Sequence, residues 1–268
     1  MRPRAGALAI LTVLAAASCG RSNADQPSTL KAVRLTVLAA SSLTNVFPQI
    51  GEAFAHDHPR VAFDFSFGGT DALTAQIEQG APADVFAGAS TTYGDRLAGE
   101  RLIDPYRAFC TNRLVVVVPS SNPAGIASLA DLQRPGVKVV VGAETVPVGA
   151  YTRKVLSNLD ATFGSDFDRK VLANVVSDED SVEGVLTKVR LGEADAGFVY
   201  ITDARAAGSD VKALDLPEAA QAVATYPIAA VRASTNLAMA RRFVDYVLSP
   251  PAQALLRRAG FGPPPSSP

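Results

Sequence analysis

From Val33 onward the chain alternates short β-type runs with helix-length segments, and that rhythm admits few architectures. VRLTVLAA, starting at Val33, is continuous enough to be a buried strand, and Leu43, Val46, Phe47, Ile50 and Phe54 then fall at i, i+3, i+4, i+7 and i+11 of a helix. Val61 to Phe67 alternate apolar and polar residues, and GGTDALTAQIEQG follows as turn plus helix. ADVFAGA, LVVVVP, VKVVVG, NVVS and AGFVYI continue the strand series. Strands alternating with helices predict an α/β fold with mostly parallel sheets. At roughly 150 residues per domain, a chain of 268 residues holds about two. The second half repeats the grammar of the first: VKVVVG leads into a Pro-started helix, and NVVS leads into one with Val182, Val185, Leu186 and Val189 on a single face. TYPIAAV precedes two closing helices, Leu237–Leu248 and Ala252–Ala259. A chain that builds one lobe, crosses to a second and returns leaves LVVVVP and TYPIAAV as its connecting segments. The expected division is 33–115 with 226–262 in lobe 1 and 116–225 in lobe 2.

The amino terminus reads MRPRAGALAILTVLAAASC, with Arg2 and Arg4 ahead of an apolar run, Ala5 to Ala17, that is too short to span a bilayer comfortably. Residues 1–18 are read as an export signal. Ala16, Ala17 and Ser18 directly before Cys19 resemble the lipobox of bacterial lipoproteins, which implies cleavage before Cys19 and lipid on that residue. Several acyl chains on one residue anchor a protein stably, whereas one is marginal; the alternative is plain secretion with an unpaired cysteine. Residues 19–32 are polar and aperiodic, as a tether is, and 263–268 are expected to be a disordered tail. Removing the signal takes two arginines and no acidic residue, so the mature chain is mildly acidic. Cys110, in AFCTNRLVVVVP, reads as a buried small hydrophobe.

With 25 Lys and Arg against 26 Asp and Glu, the chain offers no basic sheath for nucleic acid. Two cysteines and two histidines are too few for zinc ribbons or a disulfide framework. His56 and His58 point about 200° apart on a helix and do not converge on a metal. No G-x-S-x-G elbow, H-E-x-x-H or phosphate-binding G-x-x-x-x-G-K-[ST] occurs. Asp71, Asp84, Asp178, Glu179 and Asp180 lie near strand ends, and their spacing singles out no acid–base pair.

What recurs is a strand running into a helix start through small, hydroxylated or glycine residues: AASSLT, SFGGTDAL and ETVPVGAY. Each presents backbone N–H groups at the positive end of a helix dipole, and in open α/β sheets ligands collect at the carboxyl ends of strands. Several such ends facing one cleft make an anion site. The hydroxyls of Ser41, Ser42 and Thr70 also suit plain helix N-caps.

LTVLAASSLTNVF, QIEQGAPADVFAGAS, NRLVVVVP, VPVGAYTRK, EDSVEGVL, AGFVY and the closing YPIAAV and GF, taken in order over 33–262, resemble the periplasmic molybdate-binding proteins of ABC transporters. The resemblance implies a two-lobed periplasmic-binding-protein fold with the ligand in the interlobe cleft. It implies a monomeric, non-enzymatic protein with no cofactor, which captures molybdate, and tungstate with it, and delivers the anion to an ABC permease. It places the protein outside the cytoplasm, anchored to the membrane through Cys19 or periplasmic. Carried over residue by residue, the family's oxyanion ligands fall on Ser42, Thr70, Val148, Val182 and Tyr200, and the molybdenum centre is held only through these oxyanion contacts. The family's serine-rich turn reads Gly68-Gly69-Thr70-Asp71 here, and Val148 stands in place of an alanine. The alternatives are a binding protein for another oxyanion or a small organic acid, or a hydrolase or transferase on the same scaffold.

Neutral donors suit such a ligand. An oxyanion taken out of water needs its lone pairs satisfied, which N–H and O–H groups do while helix dipoles offset charge. Tyr200, on the second lobe, is expected to reach across as the cleft shuts, its alternative role being that of an interfacial core tyrosine. A carboxylate facing a bound dianion repels it, so Asp71 is expected to point away and to serve as a first-turn partner of the helix dipole.

Overall fold

In the computed structural model, which describes residues 32–265, the strands sort into two five-stranded sheets. The signal, Cys19 and nearly all of the expected tether lie outside the described residues, as do 266–268. The first sheet contains β1 (Val33–Ala40), β2 (Val61–Gly68), β3 (Val85–Ala87) and β4 (Arg107–Asn112). The second contains β5 (Leu114–Pro119), β6 (Val139–Gly142), β7 (Val175–Glu179), β8 (Ala196–Tyr200) and β9 (Val211–Asp215). The chain then returns to the first sheet as β10 (Ala224–Ala230). The helices are α1 (Phe47–Asp57), α2 (Thr70–Glu78), α3 (Thr91–Gly99), α4 (Pro147–Phe163), α5 (Phe167–Ala173), α6 (Val182–Arg190), α7 (Ile201–Ala207), α8 (Leu237–Val247) and α9 (Pro250–Ala259).

The two sheets share one layout. In the order β2-β1-β3-β10-β4 the first three strands are parallel and the last two join antiparallel; β7-β6-β8-β5-β9 repeats this pattern. Each sheet is therefore a parallel strand–helix unit extended by the strand that has just crossed between lobes. LVVVVP and most of TYPIAAV are strands, as the sequence suggests, and they are the strands that follow each crossing; the connections themselves are the residues just before them. The first crossing lies at Arg113, so Leu114 and Val115 belong to the second sheet rather than to lobe 1. Ala224 and Thr225 likewise belong to the first sheet rather than to lobe 2.

Burial follows the residue pattern. β5 is buried along its whole length and β1 from Val37 to Ala40, as strands covered on both faces must be. The core-facing stripe of α1 carries Phe47, Ile50 and Phe54, but the helix begins later than the periodicity from Leu43 suggests. Pro48 has no N–H to give to a carbonyl four residues back, so it fits only the first turn. Leu43 accordingly sits in a separate 3₁₀ turn, Ser41–Leu43. Phe243 of α8 packs edge-on against Phe47 and Phe54 and tilted over Phe63, tying the end of the chain to its beginning. Cys110 is buried completely, and burial pushes its thiol well above the ordinary range. The expected tail starts later than residue 263: the Thr111 hydroxyl donates to the Pro263 carbonyl at 3.0 Å.

Candidate functional site

The carboxyl ends of the parallel strands in both sheets converge on one small cavity, about 200 Å³ of empty space including its opening to solvent. β1 runs into the 3₁₀ turn carrying Ser42, β2 into α2 with Thr70 as its first residue, and β7 into α6 with Val182 as its first. β6 leads to α4, where Pro147 opens the helix and Val148 follows, and β8 ends on Tyr200. All five residues, Ser42, Thr70, Val148, Val182 and Tyr200, line this cavity, and no Lys, Arg, Asp or Glu does. Each is at most 6% exposed.

Val148 and Val182 bring backbone rather than side-chain chemistry. They lie in the first turns of α4 and α6, where N–H groups lack an intrahelical acceptor and the helix dipole is positive. Close packing of α4 depends on Gly149, since a Cβ there would sit 2.0 Å from the Ala143 carbonyl oxygen and 2.2 Å from that of Gly142. Neither Ser42 nor Thr70 is an N-cap: those positions belong to Ala40 and Gly69, and no cap bond is made by either hydroxyl. The Thr70 hydroxyl oxygen instead accepts from the Ala89 N–H at 3.0 Å, so its own proton is free to donate. Ser181, beside Val182, is a true N-cap and accepts from the Gly184 N–H at 3.2 Å.

The Tyr200 hydroxyl is buried beside that of Tyr226 and makes no well-formed hydrogen bond within the protein. Burial pushes the phenol well above its ordinary range, with Tyr226, Tyr151 and Asp203 adding repulsion, so it stays a protonated donor. An unmade bond of this kind costs about 1–3 kcal/mol and calls for an explanation. An anion held in the cavity provides one.

Four of the five strand-end carboxylates are engaged elsewhere. Asp84 accepts from the Thr36 N–H at 2.7 Å and is also bonded by Ser234. Asp178 pairs with Arg153 at 3.1 Å and Glu179 with Lys188 at 3.2 Å. Asp71 lies in the first turn of α2, outside the cavity lining, and its carboxylate does something the sequence did not signal: it accepts from Thr145 of the other lobe at 3.1 Å. The Tyr93 hydroxyl donates to the carbonyl of the same Thr145, so one second-lobe residue is held twice by the first lobe. Beside them Gly69 lies so close to the Asp180 carbonyl oxygen that a Cβ would approach it to 2.3 Å. His56 is exposed and His58 stacks on Phe54, their rings 4.1 Å apart. No group of metal-ligating side chains occurs among the described residues.

Residues 35–262 match the family model of the bacterial extracellular solute-binding proteins. The chain belongs to this family. Among curated relatives of this solute-binding protein, the molybdate-binding protein ModA of Mycobacterium tuberculosis (strain H37Rv) is 40% identical over 263 residues, covering 97% of each chain. In three dimensions the solute-binding protein resembles the periplasmic molybdate-binding protein of Azotobacter vinelandii, with a TM-score of 0.75 and 21% identity over 86% of this chain and 100% of that one. It also resembles the sulfate-binding protein SubI of Mycobacterium tuberculosis, with a TM-score of 0.77 and 21% identity over 86% and 87% of the two chains. At that identity both likenesses speak to the two-lobed fold alone.

Proposed function

We propose that this solute-binding protein captures molybdate, and tungstate with it, outside the cytoplasm and hands the anion to an ABC permease, acting as a monomer tethered through lipid on Cys19. The reading rests above all on one observation: five strand and helix ends bring uncharged donors onto a small cavity where the buried Tyr200 hydroxyl lacks an acceptor. Ser42, Thr70 and Tyr200 supply hydroxyls, and Val148 and Val182 supply backbone N–H groups. The relative from Mycobacterium tuberculosis, similar along nearly the whole chain, is itself a molybdate-binding protein. Only about 10 Å³ of the cavity is open to the centre of a water-sized sphere, which favours a compact anion over an organic acid. Nothing in the lining offers a nucleophile with a base beside it, so the arrangement favours binding over turnover.

The likeness to a sulfate-binding protein makes sulfate the competing ligand to test. Donors fixed at the radius of the larger anion are left partly unmade by sulfate, at about 1–3 kcal/mol each. In a thermal-unfolding panel, molybdate or tungstate at 100 times its dissociation constant is expected to add about 2.7 kcal/mol of stability. Sulfate and phosphate at the same concentration are expected to add none, and an equal shift from sulfate overturns the choice of ligand.

Tyr200 provides a second test. Tyr200→Phe removes one oxygen that makes no well-formed hydrogen bond within the protein, so the fold should keep its melting temperature without ligand. Molybdate affinity should drop about tenfold, the worth of one hydrogen bond to a charged acceptor. Undiminished affinity in titration calorimetry would mean that the hydroxyl does not meet the anion.

A further inference from the structure

We propose that Tyr226, which does not line the cavity, is a positioning residue: it donates its phenolic proton to Ser42 and so keeps the Ser42 proton turned toward the bound anion. The proposal rests on the oxyanion reading given above. Tyr226 lies on β10, the strand that returns to the first sheet, and is completely buried. Its hydroxyl oxygen is 2.9 Å from that of Ser42, and distance alone leaves the donor open.

The neighbouring amide decides the direction. Asn112 is the last residue of β4, next to the first crossing between lobes. Its Oδ1 accepts from the Arg113 N–H at 3.0 Å, so its other end must be the amine. That Nδ2 donates to the Thr202 hydroxyl at 2.9 Å and to the Tyr226 hydroxyl at 3.4 Å. The Tyr226 oxygen is thus already an acceptor, and the acceptor left for its proton is Ser42 Oγ. The reverse arrangement, with Ser42 donating, leaves the buried phenolic proton only the neighbouring Tyr200 oxygen, with which the geometry makes no hydrogen bond. Burial holds the Tyr226 phenol well above its ordinary range, so the proton is present.

Ser42 therefore receives a hydrogen bond from behind, and its own hydrogen is left for the cavity that it lines. Thr70 is treated the same way by the Ala89 N–H. Both first-lobe hydroxyls are thereby set as donors before an anion arrives, so binding need not reorient them. For Ser42 the setting originates in one backbone N–H at the crossing and passes through an amide and a phenol.

A double-mutant cycle tests this: wild type, Tyr226→Phe, Ser42→Ala and the double variant, each titrated with molybdate by calorimetry, with folding followed by thermal unfolding. Tyr226→Phe is expected to lower affinity about tenfold where Ser42 is present and less than about twofold in the Ser42→Ala background, because the effect travels through Ser42. Equal losses in both backgrounds would reveal a merely structural role and overturn the proposal, as would unchanged affinity in Tyr226→Phe alone. Should Tyr226→Phe fail to fold, Asn112→Ala, which removes the donor that fixes the phenol, takes its place in the cycle; a Ser42-dependent loss is again expected, and an equal loss in both backgrounds overturns the relay. A wild-type protein that binds neither molybdate nor sulfate refutes the oxyanion reading and the relay with it, and one that binds sulfate instead takes the same cycle with sulfate. A wild type that binds, with an additive cycle, refutes the relay alone.

Discussion

Gly69→Val is expected to lower molybdate affinity by about 100-fold or more while leaving the fold of each lobe intact. Gly69 has φ −62° and ψ 136°, a conformation open to any residue, so the substitution introduces no backbone strain. What it introduces is a clash across the cleft. A Cβ would lie 2.3 Å from the Asp180 carbonyl oxygen, and a backbone oxygen cannot swing away as a flexible side-chain end does. The lobes then hold apart, the contacts of Thr145 with Asp71 and Tyr93 open, and Val182 and Tyr200 withdraw from Ser42 and Thr70. If shutting becomes a one-in-a-hundred event, apparent affinity falls by the same factor, about 100-fold. Calorimetry gives the affinity, and small-angle scattering should show a larger radius of gyration that molybdate no longer reduces. Near-normal affinity would mean that the approach of Gly69 to Asp180 is not required for binding.

Asp203 should make the protein less stable as the pH rises from about 4 to 7. Burial lifts its carboxyl from 3.8 to about 7, with the charge of Glu183 adding to the rise and the hydrogen bond from the Tyr200 N–H opposing it. Between those values the folded chain keeps a proton that the unfolded chain releases. Raising the pH therefore favours unfolding until the folded group also ionises, and the effect levels off above pH 7. Three pH units at 1.36 kcal/mol each set its scale at roughly 4 kcal/mol. Surface carboxylates such as Asp104, held low mainly by its hydrogen bond with Arg241, act in the opposite sense at acid pH. The contribution is therefore read as a difference. Denaturant unfolding of wild type and Asp203→Asn at several pH values should show the wild type losing ground steadily between pH 4 and 7. A difference that stays flat across this range would show that Asp203 titrates as an ordinary surface carboxylate.

Much of this molecule can be read along the chain because strand and helix patterns are local. VRLTVLAA and LVVVVP announce buried strands by composition, and Pro147 announces the start of α4. β4 and β9 escaped such reading: β9 is mostly exposed and β4 alternates irregularly, so neither carries a clean period. The convergence of Ser42, Thr70, Val148, Val182 and Tyr200 on one cavity was suggested by family motifs, and strand-end chemistry alone pointed to only some of them. Asp71 was expected to turn away from the anion, yet its bond to Thr145, 74 residues along the chain, has no local signature. Tyr226 and Asn112 were invisible for the same reason. Their roles come from a three-dimensional chain of donors and acceptors, which leaves no spacing rule in the sequence.

The path of β10 also favours an order of assembly. The second sheet uses only residues between Leu114 and Asp215, a continuous stretch, so all its pairings can form once that stretch is available. The first sheet cannot close so early, because β4 pairs with β10 and with no other strand of the sheet, and β10 begins more than a hundred residues later. Joining them requires closure of a long loop, the kind of non-local contact that slows folding. Folding of the second lobe shortens that loop by bringing Asn112 and Ala224 to neighbouring points of one compact body. The lobe later in sequence thus acts as a template for completing the earlier one, and substitutions that weaken β5 or β8 should delay the burial of Phe109 and Tyr226 in the first.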